Sequence, residues 1–358
     1  MRVAGNVREA RIDIVRGLAM LVIAINHITV AFRMYGFEGR GIITPTDLGY
    51  SSSASLFVIM SGYMVGLVYV KKPKPSVAIL LRARTLYGYN LVLIFAVTPF
   101  LLMMSNSEAA SWGASFLLAN SVTGLFKFLV LIKAPTLLDV LQMYVIFMIV
   151  TPLALWVYGK SPFVLAAASV MLWTLCQVAT ATRVIEPAAV QWRFNPAAWQ
   201  LLFFIPMILG AGRAHERIFY LLGKYKYLTL ILALIAAAMG IAKVYHFEEI
   251  IPGSYLLSSK GNLGALRILH ALVVLTLYCG LLMISPNVPN LAPMRALACL
   301  GRQTLRCYVA SAWLTYALAF AWHRSDGGII SYYGAVFLAV FVAFCTAAIF
   351  DAKGTAKT

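Results

Sequence analysis

Long apolar stretches separated by short connections constrain this chain more than any other feature. Segments 228–245 and 329–350 approach or reach the roughly 20 apolar residues that a helix needs to cross a bilayer. Of the 358 residues, 62% are hydrophobic and 11% are charged, whereas about 25% are charged in a typical soluble domain. Because lipid offers the backbone no hydrogen-bond partners, such segments must cross the membrane as helices.

The hydropathy pattern predicts an all-α polytopic membrane protein of about ten transmembrane helices, forming one domain over residues 1–358. Segment 105–135 is apolar but interrupted by Asn120, Gly124 and Lys127, which predicts a partly interfacial or re-entrant segment. The first span should remain in the mature protein, because no small-residue cleavage site follows it. The predicted spans are 12–32, 51–70, 80–104, 136–157, 162–180, 197–214, 226–245, 264–284, 303–322 and 328–350.

The distribution of cations predicts that both termini are cytoplasmic. An even number of spans places the termini on one side of the membrane, and that side carries 18 of the 29 Lys and Arg residues, against ten on the other. The basic loop 71–79, which contains KKPKP, contributes most to this bias. The formal charge of +17 therefore reflects membrane topology, and we do not expect a nucleic-acid partner.

Two ionisable residues lie in the first span. Arg16 and His27 are 11 residues apart, about three helical turns, so they share one face at depths that differ by roughly 16 Å. Ionisable side chains inside a membrane usually serve a function, and histidine is suited to proton transfer. Asp13 precedes Arg16 by three residues and can pair with it. The alternatives are a structural histidine and an arginine that extends to the interface.

Further cations lie where spans meet the cytoplasmic interface. The first pair is Arg82 and Arg84, with Tyr87 about one turn later. The second pair, Arg302 and Arg306, lies near the start of the ninth span. Arginine suits phosphate recognition, so these five residues are candidates for binding a phosphorylated donor. The alternative is that they serve topology alone.

Two polar stretches on the opposite side are candidates for binding an acceptor. Aromatic rings mixed with amides and cations can cover a sugar ring and hydrogen-bond its hydroxyls, although such residues can also anchor a helix at the interface. The candidates are Trp192, Arg193, Asn195, Trp199, Gln200, Lys260, Asn262 and His270.

The sequence lacks the motifs of metal sites and of serine hydrolases. The five histidines are scattered without metal-ligand spacing and the five cysteines form no CxxC, so we expect no bound metal. Ser61 lacks the G-x-S-x-G elbow of serine hydrolases. The small residues of the second span, 51–70, instead favour close packing, which we expect against the first helix.

These features resemble the acyltransferase-3 family of integral-membrane O-acyltransferases, and within it the OpgC branch of osmoregulated periplasmic glucan succinyltransferases. Arg16 and His27 match the R-x10-H of the family's first helix, and Arg11, Asp13, Arg16 and Gly17 match the start R-x-D-x-x-R-G. The second helix resembles F-x-x-x-S-G-[FY]. The residues that carry the rest of the resemblance are Phe57, Ser61, Gly62, Tyr63, Arg82, Arg84, Tyr87, Phe194, Asn195, Pro196, Trp199, Gln200 and 262–270.

The resemblance implies a multi-pass enzyme of the bacterial inner membrane. It would transfer an acyl group, most often succinyl from cytosolic succinyl-CoA, to hydroxyls of a periplasmic glucan. His27 would be the general base, with Arg16 and Asp13 beside it, and no cofactor would be permanently bound. The sequence does not distinguish direct transfer from a transient acyl-enzyme on His27.

Two alternatives remain open at this point. An O-acetyltransferase of a surface polysaccharide or lipopolysaccharide would use acetyl-CoA on the same fold. A secondary transporter would also place polar residues at mid-membrane, although such transporters often contain inverted repeats, and this sequence contains no detectable repeat.

Overall fold

The computed structural model describes residues 9–182, 193–246 and 255–355. Every regular element within these residues is helical, in agreement with the predicted all-α class. A short 3-10 helix, Val288–Asn290, joins two of the α-helices. The α-helices, numbered α1 to α17 here, are Ala10–Met34, Ser53–Tyr69, Pro75–Leu102, Asn106–Ser111, Ser115–Ala119, Ser121–Leu129, Asp139–Lys160, Pro162–Ala181, Pro196–Trp199, Leu201–Ala211, Ala214–Lys224, Tyr227–Val244, Tyr255–Ser258, Ala265–Leu281, Ala292–Arg302, Thr304–Arg324 and Ile329–Thr355.

Helices occupy all ten predicted spans, and the sixth is divided between α9 and α10. Six helices among the described residues are long and apolar enough to cross a membrane: α1, α3, α7, α8, α12 and α17. A seventh candidate combines α9 and α10 with α11, which turns away by 83°. Helices α2 and α14 are apolar but shorter. These helices indicate a membrane protein.

Helix α1 lies at the centre of the bundle. In its apolar span 61% of the residues are buried inside the protein, whereas in α12 only 11% are. Its closest neighbour is α15, because Gly17 lies against the backbone of Leu297 and Gly301 lies against that of Asp13. A Cβ at either glycine would overlap a backbone oxygen. The central helix is also the one that carries Arg16 and His27.

Helix α2 packs through its glycines against α10, and not chiefly against α1 as predicted. Gly62 and Gly66 form a G-x-x-x-G pair that lies on the backbone oxygens of Phe203 and Met207, while Gly210 of α10 lies on that of Tyr63. Small residues let two helix backbones approach closely in a membrane. The sequence therefore predicted the close approach, whereas the partner depends on the arrangement of the whole bundle.

This packing predicts opposite results for two glycine substitutions. Gly66→Ala should destabilise the protein by about 1–3 kcal/mol, because the new methyl group would push α2 away from the α10 backbone. Gly88→Ala on α3 should be neutral or slightly stabilising, because no atom lies within 4 Å of the added Cβ and alanine favours helix. Thermal unfolding of both variants in detergent tests this. Equal melting temperatures would contradict the packing.

The segment predicted to be interfacial or re-entrant contains three short helices, α4 to α6. Its last part packs against tyrosines of the bundle: Tyr87 of α3 donates to the carbonyl of Leu129 at 3.0 Å, and Tyr316 of α16 donates to that of Thr136 at 2.7 Å. Leu137 has a positive φ of 75°. These contacts hold the end of the segment and the connection into α7 against α3 and α16.

The basic loop predicted over 71–79 is shorter than expected. Helix α3 begins at Pro75, so the connection from α2 comprises only 70–74. Proline suits the first turn of a helix, because its missing N–H would have no partner there and its φ is already helical. The last basic residue of the loop, Lys74, is the residue that precedes the helix.

Candidate active site

Arg16 is held on α1 by two partners. Its Nη1 lies 3.3 Å from Oδ1 of Asp13, which is buried, and its Nη2 donates to Oγ1 of Thr304 at 3.1 Å. The pairing between Asp13 and Arg16 is the one that their spacing predicts. Because the two nitrogens have partners on two helices, the plane of the guanidinium is fixed. Asp13 is therefore placed to orient Arg16.

Arg16 lines a small cavity of about 40 Å³. Arg82 of α3 lines the same cavity, so residues 66 positions apart in sequence form one cationic site. Tyr144 and Ser61 contribute hydroxyl groups to its wall. Cations and hydroxyls that converge on one cavity suit an anionic ligand. Neither Tyr144 nor Ser61 was among the predicted donor-binding residues.

The other predicted donor-binding residues lie outside this cavity. Arg84 is exposed, and the Tyr87 hydroxyl is bonded to the Leu129 carbonyl. Arg302 forms a bidentate ion pair with Asp351. Arg306 donates to Gln303 and lies 4.3 Å from the centroid of the Phe350 ring. Of the five predicted donor-binding residues, only Arg82 therefore lines the cavity with Arg16, whereas Arg302 and Arg306 are held by Asp351, Gln303 and the Phe350 ring.

His27 lies on the same helix as Arg16, eleven residues later. Its ring contacts that of Tyr308 edge-on, with centroids 5.6 Å apart. The Nδ1 atom of His27 is buried and has no hydrogen-bond partner within the described residues. The hydroxyl of Tyr308 is unavailable to it, because it donates to the carbonyl of Leu137. A buried polar atom without a partner marks a place where a ligand can bind.

Two aromatic rings separate His27 from the Arg16 cavity. Phe57 of α2 lines that cavity and stacks on Tyr308 with centroids 6.0 Å apart. Tyr308 in turn contacts His27. Phe57 and Tyr308 therefore form a continuous contact between the cationic cavity and the imidazole of His27.

A charged cluster lies beyond His27. Nη1 of Arg193 is 4.0 Å from Oδ2 of Asp139 and donates to Oγ1 of Thr136 at 2.6 Å. The Lys260 ammonium interacts electrostatically with Asp139 and with His27. Burial lowers the pKa of Lys260, and the Asp139 carboxylate counteracts this shift. Asp139 was not among the predicted site residues.

This cluster borders a small cavity of about 20 Å³. Arg193, Phe194 and Asp139 line it, together with Gln142. The ammonium of Lys260 lies 5.3 Å from the centroid of the Phe194 ring. Two predicted acceptor-binding residues, Arg193 and Lys260, are thus brought together at one site near His27.

Most other predicted acceptor-binding residues instead brace the loop that carries Lys260. The Asn195 amide donates to Oδ1 of Asn262 at 2.9 Å, and Asn262 donates to Thr180. Trp199 is fully buried, and its ring N–H is bonded to the carbonyls of Lys260 and Gly261. These side chains already have protein partners and fix the loop, so their predicted contact with an acceptor stays a prediction.

Gln200 and His270 are also occupied by the protein. Gln200 accepts from the Ser169 hydroxyl at 2.6 Å and donates to the Ser169 carbonyl at 2.8 Å. His270 is 1% exposed, and its Nδ1 is hydrogen-bonded to Ser51. Their predicted contact with an acceptor stays a prediction. Trp192 lies outside the described residues.

Within the described ranges, no group of three or more His, Cys, Asp or Glu side chains lies close enough to hold a metal ion. The site consists of a cationic cavity, a histidine with a free ring nitrogen, and a second charged cluster, all arranged around one central helix. Together with the apolar helices, this arrangement defines an integral-membrane protein with polar groups at different depths.

The family comparison agrees with this class. The family model described as OpgC protein matches residues 8–353, nearly the whole chain. The chain therefore belongs to the OpgC family, and this membership supports a membrane acyltransferase-type function. Comparisons with curated proteins and with solved structures give no match.

Proposed function

We propose that the protein transfers succinyl from cytosolic succinyl-CoA to hydroxyls of a periplasmic glucan. The observation that carries the proposal is the buried Nδ1 of His27, which has no hydrogen-bond partner among the described residues. His27 lies on one helix with Arg16 and between two polar sites. Membership of the OpgC family supports the acyl-transfer chemistry. The separation of the two sites supports a donor and an acceptor that approach His27 from opposite sides.

The proposed orientation has ten spans in the bacterial inner membrane and both termini in the cytoplasm. Its support is the cation bias of the sequence and the ten helices or helix pairs at the predicted spans. In this orientation the Arg16 cavity faces the cytoplasm, and the cluster of Asp139, Arg193 and Lys260 faces the periplasm.

The Arg16 cavity would receive the acyl-CoA. A guanidinium with two fixed nitrogens binds phosphate oxygens better than a point charge does, and Arg82 adds a second cation at the same cavity. The nucleotide part of the donor is too highly charged to enter lipid. Its extended pantetheine arm would have to displace the rings of Phe57 and Tyr308, which lie between the cavity and His27, to carry the thioester to the imidazole.

His27 would act as general base. It removes the proton of the glucan hydroxyl while the hydroxyl oxygen attacks the thioester carbonyl. A carbon–oxygen ester bond forms, the carbon–sulfur bond breaks, and the proton passes from the imidazole to the leaving thiolate to give free CoA. A positioned base of this kind contributes roughly 10²–10⁴-fold to the rate.

An assay with purified full-length protein tests this function. The protein is incubated with a β-glucan and with either labelled succinyl-CoA or labelled acetyl-CoA. We expect label from succinyl-CoA to appear in the glucan as an alkali-labile ester. If label entered the glucan from acetyl-CoA but not from succinyl-CoA, the transferred group would be acetyl and not succinyl. Uptake of glucan or CoA into liposomes without ester formation would indicate a transporter.

A further inference from the structure

A second and much larger cavity lies beside the small cavity that Arg16 lines. Its volume is about 570 Å³, against about 40 Å³ for the smaller one, and small-molecule sites typically enclose roughly 300–1,000 Å³. Met64 of α2 lines both cavities. Asp13, which lines the larger cavity, is hydrogen-bonded to Arg16 at 3.3 Å. The two cavities therefore adjoin at Met64 and at the pair of Asp13 and Arg16.

Three cations and two carboxylates line the larger cavity. The cations are Lys71 and Lys72, from the loop between α2 and α3, and Arg213, which precedes α11; the carboxylates are Glu9 and Asp13. Each carboxylate already pairs with an arginine of α1. Within the described residues, neither lysine forms an ion pair. Exposed lysines commonly serve topology alone, but these two share a cavity with a third cation.

Arg213 has a backbone conformation that arginine rarely adopts. Its φ is 55°, in the left-handed region that favours glycine. The turn is fixed by Tyr63, whose hydroxyl accepts from the backbone N–H of His215 at 2.9 Å and lies 2.5 Å from its Nδ1. The ion pair of Arg213 with the exposed Glu216 contributes little. Because strained residues concentrate at functional sites, an arginine here indicates a use for its guanidinium at the cavity wall.

We propose that the larger cavity binds the nucleotide part of the acyl-CoA, with Lys71, Lys72 and Arg213 contacting its phosphate groups. This inference rests on the proposed function and assigns a subsite that the smaller cavity has no room to provide. Phosphates supply the negative charge that the two lysines lack as partners, while Leu67 and Pro73 offer an apolar wall to the base. The rest of the donor continues into the smaller cavity where the two adjoin.

Displacement of labelled CoA from detergent-purified full-length protein by adenosine 3′,5′-bisphosphate tests the proposal, because this probe lacks the pantetheine arm. Replacing both lysines, Lys71→Met with Lys72→Met, should weaken binding of the bisphosphate roughly tenfold or more, the effect of losing bonds to a charged group. Replacing both by arginine should keep most of the affinity. The matched control is Lys74→Met with Lys160→Met, which removes two exposed lysines from the same predicted side, outside the lining of the cavity.

Arg213→Gly separates binding from stability. Glycine relieves the left-handed strain, so the melting temperature should equal or exceed that of the wild-type protein, while the affinity for the bisphosphate falls roughly threefold or more. Asp326→Gly is the control, because Asp326 also has a positive φ, 49°, but lies outside the cavity. It should leave the affinity unchanged. An unchanged affinity in Arg213→Gly would overturn the role of the guanidinium.

The outcomes separate this inference from the proposed function. Equal affinities in the two double-methionine variants would overturn the nucleotide site, as would a wild-type protein that transfers succinyl but whose CoA the bisphosphate does not displace. Displacement by phosphatidylglycerol and not by the bisphosphate would assign the cations to a lipid headgroup and overturn the site as well. Binding of the bisphosphate without formation of glucan ester would overturn the proposed function and support the nucleotide site.

Discussion

His27→Ala should lower kcat/KM for acyl transfer to the glucan by roughly 10²–10⁴-fold, because the base that accepts the hydroxyl proton is removed. The protein should remain folded, since Nδ1 of His27 has no hydrogen-bond partner in the described residues that the substitution would break. Esterified glucan and the melting temperature in detergent are measured on the same preparation. Loss of transfer with an unchanged melting temperature is the expected result.

A second histidine provides the control for this experiment. His323 lies at the end of α16 and is paired with Glu108 at 2.7 Å on a partly exposed surface, where an ion pair contributes little. His323→Ala should therefore transfer at close to the wild-type rate. Wild-type amounts of esterified glucan from His27→Ala would show that His27 is not the general base. Equal losses in both variants would show that the effect is not specific to His27.

Arg16→Lys should raise the KM for acyl-CoA roughly tenfold or more, although the charge is kept. Nη1 and Nη2 of Arg16 reach Asp13 and Thr304 at the same time, whereas a lysine ammonium cannot hold both partners and still face the cavity. Loss of a hydrogen bond to a charged group costs about 1.5–3 kcal/mol, which corresponds to this increase in KM. The measurement is the acyl-CoA dependence of transfer at saturating glucan.

Arg33→Lys is the matched control for Arg16→Lys, because Arg33 is an exposed arginine in the last turn of the same helix. It should leave the acyl-CoA dependence unchanged. If Arg16 merely extended its charge to the interface, lysine would serve there equally well. Equal KM values for Arg16→Lys and the wild-type protein would therefore reject the structural role of its two nitrogens.

The sequence predicted the helices and the central pair of residues because both depend on local patterns. Apolar length defines a membrane helix, and the eleven-residue spacing places Arg16 and His27 on one face of α1. The partner of α2 could not be predicted in this way. Gly62 and Gly66 permit close packing against any helix, and only the assembled bundle brings α10 to them.

The second polar site was only partly predictable for a related reason. Trp199, Asn195 and Asn262 have the residue types of a sugar site, but the same groups can bond to a neighbouring loop. Their partners lie more than 60 positions away in sequence, so no local pattern distinguishes the two roles. Asp139 was missed because its significance comes from Arg193 and Lys260, which other segments supply.

The most direct test of the two-sided account uses proteoliposomes in which labelled succinyl-CoA and glucan are placed in opposite compartments. The orientation of the protein is established by protease digestion of a tag at its C-terminus. We predict that labelled glucan forms when succinyl-CoA is on the side of the C-terminus and the glucan is on the other side. Transfer only when both substrates share one compartment would contradict the account.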